Sequence, residues 1–167
     1  HLSKIIKTRV SDMISEFNDG VFTPLGRDSD TLDGLNVHGA MMDEIHAWKM
    51  MDLYDVIYDG TSSRENPMIF AITTAGTIRE SVYDIKYEEA ENVINGYEDE
   101  DGYENDRLLP IIYELDERKE WTDPSAHRKA NPGLGTIKRA DQLLNKVNKA
   151  KSNPILVSNL LTKDFNI

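Results

Sequence analysis

Apolar positions recur along this chain with two different periods. Leu2, Ile5, Ile6 and Val10 stand at helical spacing and predict a short N-terminal helix. Met13 to Phe17 and Val21 to Thr23 flank Asn18-Asp19-Gly20, a turn signal because glycine tolerates positive φ. A hairpin is expected there, with Pro24 near the end of its second strand, a placement that suits a sheet edge. Arg27 to Asn36 is polar and reads as a loop. Gly39-Ala40-Met41-Met42-Asp43-Glu44 comes next as a short strand, supported weakly by propensity because it lacks β-branched residues. Met50, Met51, Leu53, Tyr54 and Ile57 share one face of a helix over about 48–59, which Gly60 can end. Met68 to Thr74 is apolar throughout and turns polar at its carboxyl end, as a buried strand does. Strand, helix and strand with short joins make a βαβ unit, expected to be parallel with a right-handed crossover.

Ala75-Gly76 breaks that strand. A second helix is expected over about 79–95, with Tyr83, Tyr87, Ala90 and Ile94 on its buried side and Gly96 at its end. Tyr97 to Asp106 holds six acidic residues in ten and reads as a solvated loop. Leu108 to Leu115 predicts another strand, in which Pro110 favours an edge or the first position. Ala130 to Gly135 is rich in turn residues. Ile137, Ala140, Leu144 and Val147 mark a third helix. Asn153-Pro154 reads as N-cap and first residue of a fourth, with Leu156, Val157, Leu160 and Leu161 buried. The βαβ rhythm stops after about Glu117, and the remainder of the chain is expected to be a small helical subdomain or linker.

Composition narrows the possibilities. At 167 residues and 39% hydrophobic, the chain suits one ordinary globular domain. It has no cysteine, which excludes disulfides, zinc-thiolate sites and cysteine nucleophiles. No apolar run approaches the ~18 residues of a membrane helix, and no secretory signal opens the chain. The cytosol is the simplest compartment on those grounds. A net charge of −11 argues against a protein that coats nucleic acid, while leaving room for a small local surface that touches DNA. The first residue is His1 rather than Met, which suggests a processed product or a fragment.

The chemistry concentrates at two strand ends of the βαβ unit. Asp43-Glu44 closes the first strand, and Thr73-Thr74-Ala75-Gly76 closes the second. Ligands of open α/β sheets bind outside the carboxyl ends of strands, so both sets should face one crevice. An acidic pair there serves nucleotide hydrolysis. The Asp holds Mg²⁺, usually through water, and the adjacent Glu orients and polarises the attacking water. The hydroxyls of the second strand end could sense the γ-phosphate and relay hydrolysis to movement. The competing reading is a chance pattern at a solvated strand end. Asp43-Glu44-Ile45-His46 also has the wording of a DExH helicase box, although His46 by itself reads as an ordinary helix-start or core histidine.

These residues resemble a family when taken in order. Asp28 to Asn36, Met41 to His46, Phe70 to Gly76 and Arg79-Glu80-Ser81 look like tailed-bacteriophage terminase large subunits. The resemblance continues through Pro110 to Asp116, Ala130 to Gly135 and Asn159 to Asn166, covering nearly the whole chain. It implies a DNA-packaging motor, with an N-terminal P-loop ATPase driving DNA into a procapsid and a C-terminal metal-dependent nuclease cutting the concatemer. By that match, Asp43 is the Walker B magnesium residue, Glu44 the catalytic carboxylate, and Thr73, Thr74 and Gly76 belong to the coupling motif. Arg79 is the candidate arginine finger acting on a neighbouring subunit of a homo-oligomeric ring. The alternative for Arg79 is a helix-start residue in solvent or in a local carboxylate pair. Arg27 is a weaker finger candidate. The implied cofactors are ATP and Mg²⁺. The implied partners are double-stranded DNA, the small terminase subunit and the portal or procapsid, in the bacterial host's cytoplasm with no membrane.

No G-x-x-x-x-G-K-[ST] occurs in the chain, and Gly133 to Lys138 lacks both its spacing and a preceding strand. The expected fold is therefore α/β: a partial P-loop NTPase with a parallel βαβ sheet over 1–117, then a helical linker or lid over 118–167 ahead of an absent nuclease domain. The isolated chain is expected to be inactive towards ATP and DNA. A sheet cut between its Walker strands should also expose apolar edge and face. Two other function classes stay open on the sequence. One is a non-catalytic acidic adaptor contacting a protein through Tyr97 to Asp106. The other is a DExH helicase fragment, which should show a later arginine pair; none is visible.

Overall fold

The structure is a computed structural model, and it describes residues 5–26, 34–98 and 102–167. Arg27 and the 28–33 part of the polar loop lie outside the described residues, as do 99–101 of the acidic stretch.

The chain opens with three short antiparallel strands, β1 (Ile6–Thr8), β2 (Met13–Ser15) and β3 (Val21–Phe22). The expected hairpin is present, with Met13 opposite Phe22 and Ile14 opposite Val21. The expected N-terminal helix is not. Ile6 to Thr8 pair with Ser15 to Met13 instead. Ile5 and Ile6 are next to each other, so their spacing from Val10 suited either period, and the neighbouring hairpin edge supplied the ladder.

The βαβ unit is β4 (Gly39–Asp43), α1 (Asp52–Asp59) and β5 (Met68–Ile72). β4 and β5 are parallel and in register from Gly39 opposite Met68 to Asp43 opposite Ile72. α1 starts four residues later than expected, and Met50 is exposed ahead of it. One face of the pair buries Met42, which packs with Ile45, Ile57 of α1 and Val82 of α2 (Val82–Gly96). Gly60 ends α1 with ordinary right-handed dihedrals; a Cβ there would stand 3.0 Å from Leu35 Cβ, so close packing explains this glycine. The opposite face is bare: Met41 is 70% exposed and its register partner Phe70 55%. Parallel strands normally carry cover on both faces, and the apolar exposure expected from the sequence is seen here.

α2 begins at Ser81, whose backbone N–H donates to the Asp84 carboxylate at 3.3 Å. Val82 and Val93 are its fully buried apolar residues. Tyr83, Tyr87 and Ala90 are half-buried, and Ile94 is exposed, contrary to expectation. The acidic stretch is closed at its base, where an ideal Cβ on Gly96 would lie 2.0 Å from the Tyr103 carbonyl oxygen.

Residues 108–115 form no strand. They nonetheless alternate: Leu109, Ile111 and Tyr113 are exposed, while Leu108, Pro110, Ile112 and Glu114 are half-buried and Leu115 is buried. The period-2 signal is real, yet no described strand lies beside it, and Pro110 lacks an N–H to offer one. The segment runs as a strap. The C-terminal part packs α3 (His127–Ala130), α4 (Ala140–Ser152) and α5 (Ile155–Asp164) around Leu115, Leu143, Val147, Leu161 and Phe165. The inward side of α4 is set by Leu143, Val147 and Ala150. The expected Ile137 (92% exposed) and Leu144 face solvent. Adjacent leucines left the phase open, and the wrong one turned it by about 100°. α5 starts one residue later than expected, with Pro154 rather than Asn153 at its N-cap position; Asn153 Oδ1 accepts from Ile155 N–H at 3.3 Å, and Leu156 is exposed. No helix among the described residues is long and apolar enough to cross a membrane.

Candidate functional site

Parallel pairing of Asp43 with Ile72 carries the two polar strand ends out side by side. The chain then turns sharply after Asp43. Glu44 sits in the left-handed region at φ 54°, ψ 42°, and its N–H donates to Asp43 Oδ1 at 2.8 Å. A non-glycine residue in that region is uncommon and marks a local constraint. The constraint throws the Glu44 carboxylate back over the single turn Ile45–Ala47. There Glu44 Oε2 lies 2.9 Å from Nδ1 of His46.

His46 is the hinge of the site. Its backbone N–H donates to Thr73 Oγ1 at 3.0 Å, and its Nδ1 lies 3.0 Å from the same oxygen. The Thr73 hydroxyl hydrogen is already donated to the Thr74 carbonyl at 2.9 Å. Nδ1 therefore faces two acceptors, the Glu44 carboxylate and the Thr73 oxygen, and must carry the hydrogen shared between them. Glu44, His46 and Thr73 thus form one hydrogen-bonded chain from the first strand end to the second. Sequence reasoning set His46 aside. Its place two residues after Glu44 was the available signal.

Gly76 lets the second strand end come this close. A Cβ on it would stand 2.9 Å from His46 Cβ and 3.4 Å from the His46 carbonyl oxygen. Beyond it, Val82 N–H donates to the Trp48 carbonyl at 3.4 Å, tying the start of α2 to the segment after Glu44. Thr74 is half-buried beside buried Ala75. Arg79 stays apart from this cluster. Its side chain is 81% exposed, and Nη1 lies 3.6 Å from Asp84 Oδ1, a loose pair on its own helix start.

Among the described residues, no group of three or more His, Asp or Glu side chains is placed to hold a metal ion. Asp43 offers one exposed carboxylate, with one oxygen engaged by Glu44 N–H. That fits a magnesium ion that keeps most of its waters and takes its remaining ligands from substrate phosphates. It does not fit a closed protein cage.

The comparisons with known proteins bear on the same residues. The family model described as "Terminase large subunit, ATPase domain" matches residues 1–92, and "Terminase large subunit, endonuclease domain" matches residues 103–167. "Protein YmfN" of Escherichia coli (strain K12) is 38% identical over 136 residues, which is 81% of this chain and 29% of that protein. The crystal structure of the HK97 bacteriophage large terminase has a TM-score of 0.82 at 19% identity, covering 99% of this chain and 33% of that one. The chain thus spans about a third of the length of these relatives.

Proposed function

The chain belongs to the terminase large-subunit family, and from that premise we propose that its βαβ unit is the hydrolysis-and-coupling half of an ATP-driven motor that packages viral DNA. The single observation that carries this reading is the hydrogen-bonded chain from Glu44 through His46 to Thr73. It joins the candidate catalytic carboxylate to the candidate coupling motif within one crevice.

Asp43 is the residue that would hold Mg²⁺, through water. When bound with nucleotide, that ion supplies charge neutralisation between the β- and γ-phosphates. Glu44 orients and polarises the attacking water, a role its exposed carboxylate can take once it swings from His46. His46 then loses one of its two acceptors, and its remaining bonds to Thr73 tighten or slacken with the Glu44 position. That is a physical route from the phosphate side to Thr73, Thr74 and Gly76. Arg79 is the candidate trans finger: among the described residues its one ion pair is a 3.6 Å surface contact with Asp84, of a kind worth little, which leaves the guanidinium able to reach a neighbouring subunit.

We propose the division 1–117 for the ATPase half and 118–167 for a helical linker. Two buried clusters support it, one around Met42 and Val82 and the other around Leu143 and Phe165, which Leu115 joins from just ahead of the division. The endonuclease-domain match starts ahead of that division, at 103. Double-stranded DNA, a small terminase subunit, a portal or procapsid and further copies in a ring are the proposed partners, in the host cytoplasm. The proposed cleavage of concatemeric DNA belongs to the whole motor.

The test has two steps. Reading the coding DNA on both sides of this segment shows whether a P-loop motif stands upstream in the same frame. The product of that frame should hydrolyse ATP with Mg²⁺ and lose about a hundredfold or more in rate with Glu44→Gln, while the 167-residue chain alone turns over none. A frame with no P-loop, or an unimpaired Glu44→Gln protein, would overturn the reading.

A further inference from the structure

The net charge of −11 conceals a strong segregation. Residues 118–167 carry ten Lys and Arg against four Asp and Glu, a net +6, which leaves −17 for residues 1–117. Within the basic part, the 22 residues from Gln142 to Lys163 contain no carboxylate at all and four lysines. An acidic chain with one acid-free stretch of helix has charge asymmetry of the kind that marks contact with a polyanion.

The helix geometry turns that composition into a surface. Leu143, Val147 and Ala150 take the inward side of α4. The outward side therefore presents Asp141, Gln142, Asn145, Asn148, Lys149 and Ser152, with the Asp141 carboxylate held by Arg139 at 2.6 Å. Asn145, Asn148, Lys149 and Ser152 line an open groove whose other wall is Asn153 and Leu156, at the start of α5. Among the described residues Lys149 has no ion-pair partner, whereas Lys146 is held by the buried Asp164. Asp164 is shared by Lys138 as well, so that corner keeps one positive charge in excess. The groove itself holds amide donors, a hydroxyl and Lys149 with no acid among its lining residues, and these are what backbone phosphates accept from.

We infer that the outward face of α4 and its groove with α5 are a contact surface for the phosphate backbone of duplex DNA. The choice of duplex DNA as the polyanion rests on the packaging reading above. The competing account is local: Lys149 and Lys151 stand in the last turn of α4, where cations complement the helix dipole. That account requires stability from Lys149 and no binding.

The experiment is a titration of the ¹⁵N-labelled chain with a short duplex at an ionic strength near 0.1 M. There the Debye length of about 10 Å limits the reach of the acidic residues elsewhere in the chain. Amide shifts should centre on Gln142, Asn145, Asn148, Lys149 and Ser152. Lys149→Glu should weaken binding by about fivefold or more and flatten the salt dependence by about one phosphate contact, and Lys149→Arg should restore both. Arg9→Glu, an equal charge change at an exposed N-terminal position, should leave affinity within about twofold. Shifts centred elsewhere, or equal losses from Lys149→Glu and Arg9→Glu, overturn the surface and leave the packaging reading standing. Polyglutamate shifting these residues while duplex does not would overturn the partner class, and with it the DNA-contact part of that reading for this chain. If neither polymer binds, the surface assignment is wrong and the dipole account holds.

Discussion

Tyr87 Oη lies 2.6 Å from Glu114 Oε1, and this bond runs from the segment matched as ATPase domain to the segment matched as endonuclease domain. On either side of Glu114 in the same strap, the Asn166 side-chain amide donates to the Tyr113 carbonyl at 2.8 Å, and Leu115 enters the helical core. The carboxyl end of the strap, residues 113–115, is therefore held from both matched segments.

The clamp has a pH signature. Burial pushes the Glu114 carboxyl above its ordinary range, Glu91 and Asp116 add to this, and the Tyr87 hydroxyl opposes it. Because the folded-state pKa is raised, Glu114 contributes stability that is fully present below its unfolded value and lost as pH rises through the folded one. Glu114→Gln keeps an acceptor for Tyr87 and removes the half-buried charge, so urea unfolding at pH 7 should change by less than about 0.5 kcal/mol or move towards greater stability. Tyr87→Phe should cost about 1–2 kcal/mol, since it strips the carboxylate of its donor. A reversed order for the two variants would contradict this account.

Asp164 should behave in the opposite sense. Burial alone would raise its carboxyl, but the hydrogen bonds from Lys146 and Lys138 outweigh burial and hold it below the ordinary carboxylate range. Its contribution is present above the unfolded value and is lost as pH falls through the folded one. Asp164→Asn should destabilise by about 3 kcal/mol, at the low end for a buried pair because both lysines are partly solvated. It should also flatten the acid limb of the stability profile. Denaturant titrations of both proteins between pH 3 and 7 would measure both effects, the window lying about the ordinary carboxylate pKa.

Gly76→Ala should disturb the site more than the fold. The new methyl meets His46 Cβ, which is no flexible tip and cannot simply turn away. We expect a loss of about 1–3 kcal/mol, together with separation of His46 from Thr73. The His46 ring resonances report that separation directly, and unchanged shifts with unchanged stability would refute the close-approach explanation.

The bare face of β4 and β5 should bind an apolar dye. Met41→Lys with Phe70→Glu should abolish most of that signal, because the two residues are register partners on the uncovered side. Dye fluorescence that survives the double change would place the exposed apolar surface elsewhere, with the N-terminal strands next in line.

What could be read in advance divides along physical lines. Met68 to Ile72 and the Asp43-Glu44 strand end were legible because a βαβ unit writes both period and polarity into a short stretch. His46 was undervalued because its importance lies in a bond to a residue 27 positions away. The strap at 108–115 carries a true alternation, but pairing depends on a neighbour that period alone does not supply. The inward side of α4 turned on choosing between Leu143 and Leu144, and only the packing of Phe165 and Leu161 decides between them. Gly96 ended its helix as expected, for a reason hidden in sequence: the backbone of residues 102 and 103 passes against it.

That backbone contact makes a handle. Since Gly96 and Gly102 already touch, the chain stands at almost one point at the end of α2 and again at Gly102. A reporter peptide or a small fluorescent domain whose own termini lie close together can be spliced there without asking α2 or the strap to move. The surroundings are strongly acidic, so an inserted probe would stay well solvated, and it would label the boundary between the two matched segments while leaving the face around Lys149 untouched.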